Sequence, residues 1–164
     1  MRYFISFACY GAHLHGEESG SIDRHHNLFG SRWLEADPRR AAAERRGMNQ
    51  PPYELHRDGR AVVLETLHEV CLHRGWNLLA AHVRSTPVQV IIEGEVSPEK
   101  ARNDFKAYAS RALNRLERGE PDGKRGARHG STRWWWKDQD VRDAIRYVVQ
   151  EQGEPMAVFL GDVP

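Results

Sequence analysis

Cysteine is scarce: Cys9 and Cys71 are the only two thiols in 164 residues. Two cysteines build neither a disulfide framework nor a zinc site, which points to the cytoplasm as the compartment. Long apolar runs are missing as well. No stretch approaches the ~20 residues that cross a bilayer, so no membrane role is expected. The opening run from Arg2 to Tyr10 is short and aromatic-rich, and it passes directly into Gly11-Ala12-His13-Leu14-His15. It reads as a first strand rather than as a signal peptide. A strong excess of charge of one sign is absent too: the net charge is +1, which excludes a uniformly basic nucleic-acid coat. Lysine is rare, with only Lys100, Lys106, Lys124 and Lys137 among 24 basic residues. The other 20 are arginines, whose guanidinium forks onto phosphate and stacks on bases as an ammonium does not. Codon bias toward arginine accounts for the same ratio equally well. Internal repeats and interdomain linkers are also lacking. At 40% hydrophobic and 29% charged residues, the chain is expected to fold as one soluble domain over 1–164.

What is present orders itself as strands and helices. Residues 3–10 read as a strand. Residues 11–57, rich in Gly, Pro, His and Arg, read as a long irregular insertion, and a connection of that length is either functional or disordered. The core is expected over 58–152. Asp58 is placed to cap a helix whose apolar positions are Val63, Leu67, Val70 and Cys71, ending near Arg74-Gly75. Trp76 to Val83 reads as a buried strand, and Arg84 to Pro87 as a turn. Val88 to Ile92 follows as the second arm of a hairpin. Ser97-Pro98-Glu99 opens a helix with proline at its first position. Ala101, Phe105, Ala109, Ala112 and Leu116 then form its apolar face, and Gly119 stops it. Glu120 to Gly130 reads as a loop and Ser131 to Trp136 as a strand. In the last helix, Val141, Ala144, Ile145 and Val148 recur at i, i+3, i+4, i+7. The order β-α-β-β-α-β plus one terminal helix predicts an α+β fold of the ferredoxin-like split βαβ type, an antiparallel sheet with helices on one face.

The last helix also carries the most suggestive chemistry. Tyr147 and Glu151 are four apart, one turn above each other, so a phenol and a carboxylate share a helix flank. That pair suits a nucleophile and a metal ligand. A half-packed tyrosine at a helix border has the same signature. His82 closes its strand, either as a turn histidine facing solvent or as a metal ligand. His13, His15, His25 and His26 lie in the long N-terminal segment, where histidines are usually just polar loop residues and metal binding is the alternative.

Three segments together carry a family resemblance: His73-Arg74-Gly75-Trp76-Asn77-Leu78-Leu79-Ala80-Ala81-His82-Val83, then Phe105-Lys106-Ala107-Tyr108-Ala109-Ser110-Arg111-Ala112-Leu113-Asn114, then Ala144-Ile145-Arg146-Tyr147-Val148-Val149-Gln150-Glu151-Gln152-Gly153. In order and spacing they resemble the insertion-sequence-200-type transposases of the HUH superfamily of single-strand DNA endonucleases, most closely the REP-associated tyrosine transposase branch. The resemblance runs from about Tyr3 to Gln152. It implies that Tyr147 is a nucleophile that forms a 5′-phosphotyrosine link and frees a 3′-OH. It implies a Mg²⁺ or Mn²⁺ ion to polarise the scissile phosphate, single-stranded or hairpin DNA as partner, and a homodimer. In such enzymes a His-hydrophobic-His strand holds the metal, with a neutral amide four residues beyond the tyrosine. Here those positions are Pro87, Gln89 and Glu151. Proline offers no donor and glutamine only a neutral oxygen, so the resemblance implies a weak, degenerate metal site of Gln89 and Glu151 and impaired cleavage.

A nucleic-acid surface is a separate expectation. Arg111, Arg115, Arg118, Lys124, Arg125, Arg128 and Arg133 are opposed only by Glu117, Glu120 and Asp122, and Trp134-Trp135-Trp136 follows. Cations for phosphates beside aromatic platforms for unstacked bases is the composition of a single-strand binder. Alternation along a strand turns Trp135 opposite to Trp134 and Trp136, so at least one of the three belongs to the core. A second basic group, Arg39-Arg40 and Arg45-Arg46, fits a solvated helical face. Besides an active or impaired transposase, the residues admit an RNA-binding module of the same topology, a pure DNA-hairpin binder, and a domain with no nucleic-acid role.

Overall fold

The computed structural model describes residues 1–9, 37–48, 53–117, 126–135 and 137–163. In chain order the elements are β1 (Arg2–Cys9), α1 (Pro38–Arg46), α2 (Arg57–Arg74), β2 (Asn77–Val83), β3 (Val88–Glu93), α3 (Pro98–Leu116), β4 (Gly126–Trp135), α4 (Asp138–Gln150) and β5 (Ala157–Leu160). The strands form one sheet in the order β4-β1-β3-β2-β5, with every neighbouring pair antiparallel. The first four reproduce the ferredoxin-like split βαβ arrangement, and the class is α+β.

Alternation along the strands sorts the core into two layers. Ile5, Phe7, Val88, Val90, Ile92, Ala81 and Val83 join Val63, Leu67, Phe105 and Leu113 under α2 and α3. Leu79, Ala80 and Ile91 face the other way, against Val141, Ile145 and Val148 of α4, with Phe4 and Trp135 alongside. The α2–α3 pair therefore covers one face, as the split βαβ topology requires, and α4 covers part of the opposite one. β3 runs down the middle, and its residues from Val88 to Ile92 are all buried.

Local chemistry explains the element ends. Ser97 accepts from the Lys100 N–H at 3.3 Å and Pro98 opens α3, as the sequence predicts. Gly75 closes α2 with a φ of 70°, where only glycine is unstrained, and Trp76 N–H reaches back to the Cys71 carbonyl at 2.9 Å.

Several expectations change. The segment 11–57 is not irregular throughout, because α1 lies inside it. Asp37 caps that helix by accepting from Arg39 and Arg40 N–H at 3.0 and 3.3 Å. Only Ala41 of α1 is buried, so no apolar stripe betrays it. Leu55 is buried too, and its N–H bonds the Ser85 carbonyl at 3.0 Å, tying the segment's end to the β2–β3 turn. His56, not Asp58, occupies the N-cap of α2, and Asp58 sits in the first turn. On α3, Leu113 rather than Leu116 completes the apolar face; Leu116 has turned outward at the helix end. β4 starts at Gly126, within the expected loop, and β5 is an additional strand. Gly119, Trp136 and the histidines at 13, 15, 25 and 26 lie outside the described residues.

Candidate functional site

Helix α4 is held to the sheet by Val141, Ile145 and Val148, all buried, with Ala144 half-buried beside them. Tyr147 precedes Val148 by one position, hence ~100° around the helix from the buried stripe. It is 48% exposed. On the same flank lie Asp140, Ala144 and Glu151.

Two sets of contacts fasten the helix. At its N-terminal end, Asp138 forms an ion pair with Arg2, whose Nε also reaches Glu93 at 3.0 Å. The hydrogen bond to Arg2 holds the Asp138 carboxyl below its usual range, and the same bond raises the guanidinium. Asp138 and Asp140 in the first turn suit the positive end of the helix dipole. At its C-terminal end, His82 Nδ1 lies 2.8 Å from the Val148 carbonyl, and Met156 N–H donates to His82 Nε2 at 3.1 Å. Gln152 donates its side-chain amide to the Gln89 carbonyl oxygen. Arg84 donates to the Glu154 carbonyl at 3.3 Å. His82 is only 1% exposed. The expected turn histidine is thus an interior residue of β2, bonded to two backbone groups, and no free lone pair remains for a metal.

Strand register places a polar row beside the helix. His82 lies opposite Gln89, Gln89 opposite Ser6, and Ser6 opposite Ser131. Cross-strand partners share a face, and Phe4 and Ile91 assign that face to α4. Gln89 is buried at 7% exposure, whereas Ser6 and Ser131 are half-buried. Two positions along β4, Arg133 is opposite Phe4 on the same face and is exposed.

The candidate ligands are engaged elsewhere. Gln89 points toward the α4 side, but its partner is Gln152, a residue the sequence reading did not single out. Glu151 caps α4 and pairs with Arg146, Nε to Oε1 at 3.2 Å. Pro87 is not on the central strand but in the turn before it, its carbonyl accepting from Arg84 N–H at 3.2 Å. Among the described residues no three His, Cys, Asp or Glu side chains gather to hold a metal. One amide bonded to another amide and one carboxylate bonded to arginine do not fit Mg²⁺ or Mn²⁺.

The candidate nucleic-acid residues divide between the two faces. Arg133 shares the α4 face, while Trp134, paired with Tyr3 and 59% exposed, faces the α2–α3 side. Trp135 packs on Phe4 with ring centroids 5.9 Å apart, so this tryptophan has a structural part. Arg111 stacks over the Tyr108 ring at 4.4 Å, and Arg115 is exposed in the last turn of α3. Lys124 and Arg125 lie outside the described residues; Arg128 lies within β4.

No protein-family model matches the chain, and no curated protein matches it. Among solved structures, a REP-associated tyrosine transposase bound to a REP hairpin superposes with a TM-score of 0.50 at 10% identity, covering 92% of this chain and 65% of that one. The chain therefore spans just under two thirds of that transposase. A protein of Deinococcus radiodurans R1, assigned as a transposase by inference, superposes with a TM-score of 0.45 at 10% identity, over 88% of this chain and 85% of its own. The first likeness is one of fold: this chain has a transposase-like fold.

Proposed function

We propose that this protein is a transposase-like DNA-binding protein that receives single-stranded or hairpin DNA on the α4 face of its sheet, with Tyr147 in the nucleophile position and with cleavage impaired. The observation that carries this reading is the placement of Gln89. It lies on the central strand, on the face covered by α4, at the foot of the helix that exposes Tyr147. That is the relation the family resemblance requires between the metal-holding strand and the nucleophile helix.

Helix direction adds support. α4 starts at the Arg2 end of the sheet and finishes at the His82 end. With the right-handed β1–α2–β2 crossover that nearly all such units have, its Tyr147 flank turns from β2 toward β3, β1 and β4. The phenol then overlooks the row Gln89–Ser6–Ser131, with Arg133 beside it as a phosphate ligand. Impairment follows from donor chemistry: the loss of two imidazoles leaves no strong Lewis acid for the scissile phosphate.

The test is binding and strand transfer with hairpin DNA, with and without Mn²⁺, with Tyr147→Phe as control. Salt-dependent hairpin binding with little or no adduct is expected. Efficient Tyr147-dependent cleavage would overturn the impairment. Preference for RNA in competition would replace DNA as the partner, and absence of salt-dependent binding to either would remove the nucleic-acid role. A homodimer working in the cytoplasm completes the proposal, with light scattering on the DNA complex as its check.

A further inference from the structure

The geometry points to His82 as the positioning residue for Tyr147: its imidazole fastens the end of α4 and the α4–β5 connection to β2, and so sets where the phenol stands above the sheet. This rests on the reading above only in giving Tyr147 a function; the fastening itself is independent of it.

A histidine at 1% exposure costs stability unless both ring nitrogens are satisfied. Here both are. The Val148 carbonyl belongs to the last turn of α4, where carbonyls have no partner within the helix. It can only accept, so Nδ1 carries the proton. Nε2 is then the acceptor for Met156 N–H, at the entry to β5. Burial also pushes the His82 pKa down, which keeps the neutral form that this division of roles requires. One ring thereby grips two backbone positions eight residues apart in the chain, on either side of the 151–155 connection.

Neighbouring contacts act at the same place. Gln89 holds Gln152 and Arg84 holds the Glu154 carbonyl, both from the β2–β3 hairpin. Among these contacts, only His82 bonds to α4 itself. Tyr147 is adjacent to Val148, and its own carbonyl accepts from Glu151 N–H at 3.2 Å. Release of the Val148 carbonyl thus frees the turn that carries the phenol. The polar row supplies no substitute, because Ser6 and Ser131 lie two and three strands away from β2.

Two substitutions separate the roles. His82→Phe fills the volume and makes neither bond; His82→Asn retains a donor near the Nδ1 position. Hydrogen exchange resolved by mass spectrometry is expected to show His82→Phe accelerating residues 148–157 about tenfold, with β1 and β3 unchanged, and His82→Asn a smaller effect. Fluorotyrosine at position 147 should change its ¹⁹F shift in the same order. Hairpin DNA photocrosslinked through Tyr147 should lose yield about tenfold in His82→Phe while its Kd moves less than about twofold, since arginine–phosphate contacts carry affinity. Unchanged exchange in 148–157, or protection lost uniformly across the sheet in both variants, overturns the fastening. Local loosening with an unmoved crosslink yield overturns the positioning of Tyr147 by His82, whereas no crosslink in the parent protein removes instead the function assigned to Tyr147.

Discussion

Gln89 and Gln152 are paired amide to amide, joining the middle strand of the sheet to the chain just beyond α4. Where the family resemblance implies a metal ligand, this protein has a structural hydrogen bond, and its partner is not the carboxylate at Glu151.

Placing imidazoles at positions 87 and 89 tests that relationship. Pro87→His together with Gln89→His is expected to bring Mn²⁺ affinity, measurable by titration calorimetry, and a Tyr147-dependent adduct with hairpin DNA on a denaturing gel. The broken amide pair should cost about 1 kcal/mol, read as a lower denaturation midpoint. A folded double variant that binds no Mn²⁺ would show that ligand geometry, as well as ligand identity, has been lost. One that binds Mn²⁺ without forming adduct would locate the defect in the placement of Tyr147.

Arg133 and Trp134 are neighbours in sequence but face opposite sides of β4, so they report on different surfaces. With DNA on the α4 face, Arg133→Ala should weaken single-strand binding and lower the salt slope by ~0.7. Trp134→Ala should leave both unchanged. Loss of about 1–3 kcal/mol in Trp134→Ala with no effect from Arg133→Ala would move the strand to the α2–α3 side. Combined alanines at Lys124, Arg125 and Arg128 measure the share carried by the start of β4 and the two residues before it.

His82 should make the protein sensitive to acid. Burial, the leading cause, and the Arg84 charge lower its pKa in the fold, whereas the Val148 carbonyl opposes them. The unfolded chain then binds the proton more readily, at the ordinary value near 6.5. Stability from this group is complete above pH 6.5 and declines as pH falls below it toward the folded value. Urea midpoints between pH 7 and 5 should fall for the parent and fall less for His82→Phe. Parallel pH profiles would show that the buried imidazole does not govern the decline.

Phe105 is fully buried and meets Trp76 edge-on, with centroids 5.8 Å apart. Phe105→Ala should destabilise by about 3–5 kcal/mol, because the surrounding helices and sheet cannot close the cavity. Cys71, also buried, has its thiol pushed up to about 12, so it should resist alkylation in the folded state and react once Phe105→Ala loosens that layer.

Repetition made most of the fold legible. The 3.6-residue spacing of Val141, Ile145 and Val148, the Ser97-Pro98 start and the Arg74-Gly75 stop are local signals, and each element stands close to its expected place. α1 escaped because a helix with one buried alanine leaves no apolar period, although Asp37-Pro38 carries a capping signal. β5 escaped because Ala157-Val158-Phe159-Leu160, though apolar, is only four residues long, too few for a period to separate a strand from a loop, and it stays half-buried at most on the sheet edge.

By itself the sequence determined the α+β topology and the placement of a tyrosine on the last helix, because backbone periodicity and caps are encoded within a few residues. Only the tertiary structure decided what the polar residues do. Whether His82 meets solvent, metal or backbone depends on a helix 66 residues away. Whether Gln89 meets Glu151 or Gln152 depends on where α4 ends and how the chain turns after it. Strand pairing sends Arg133 and Trp134 to separate faces with different neighbours. Such partnerships are set by register and helix direction across the whole sheet, and no local pattern contains them.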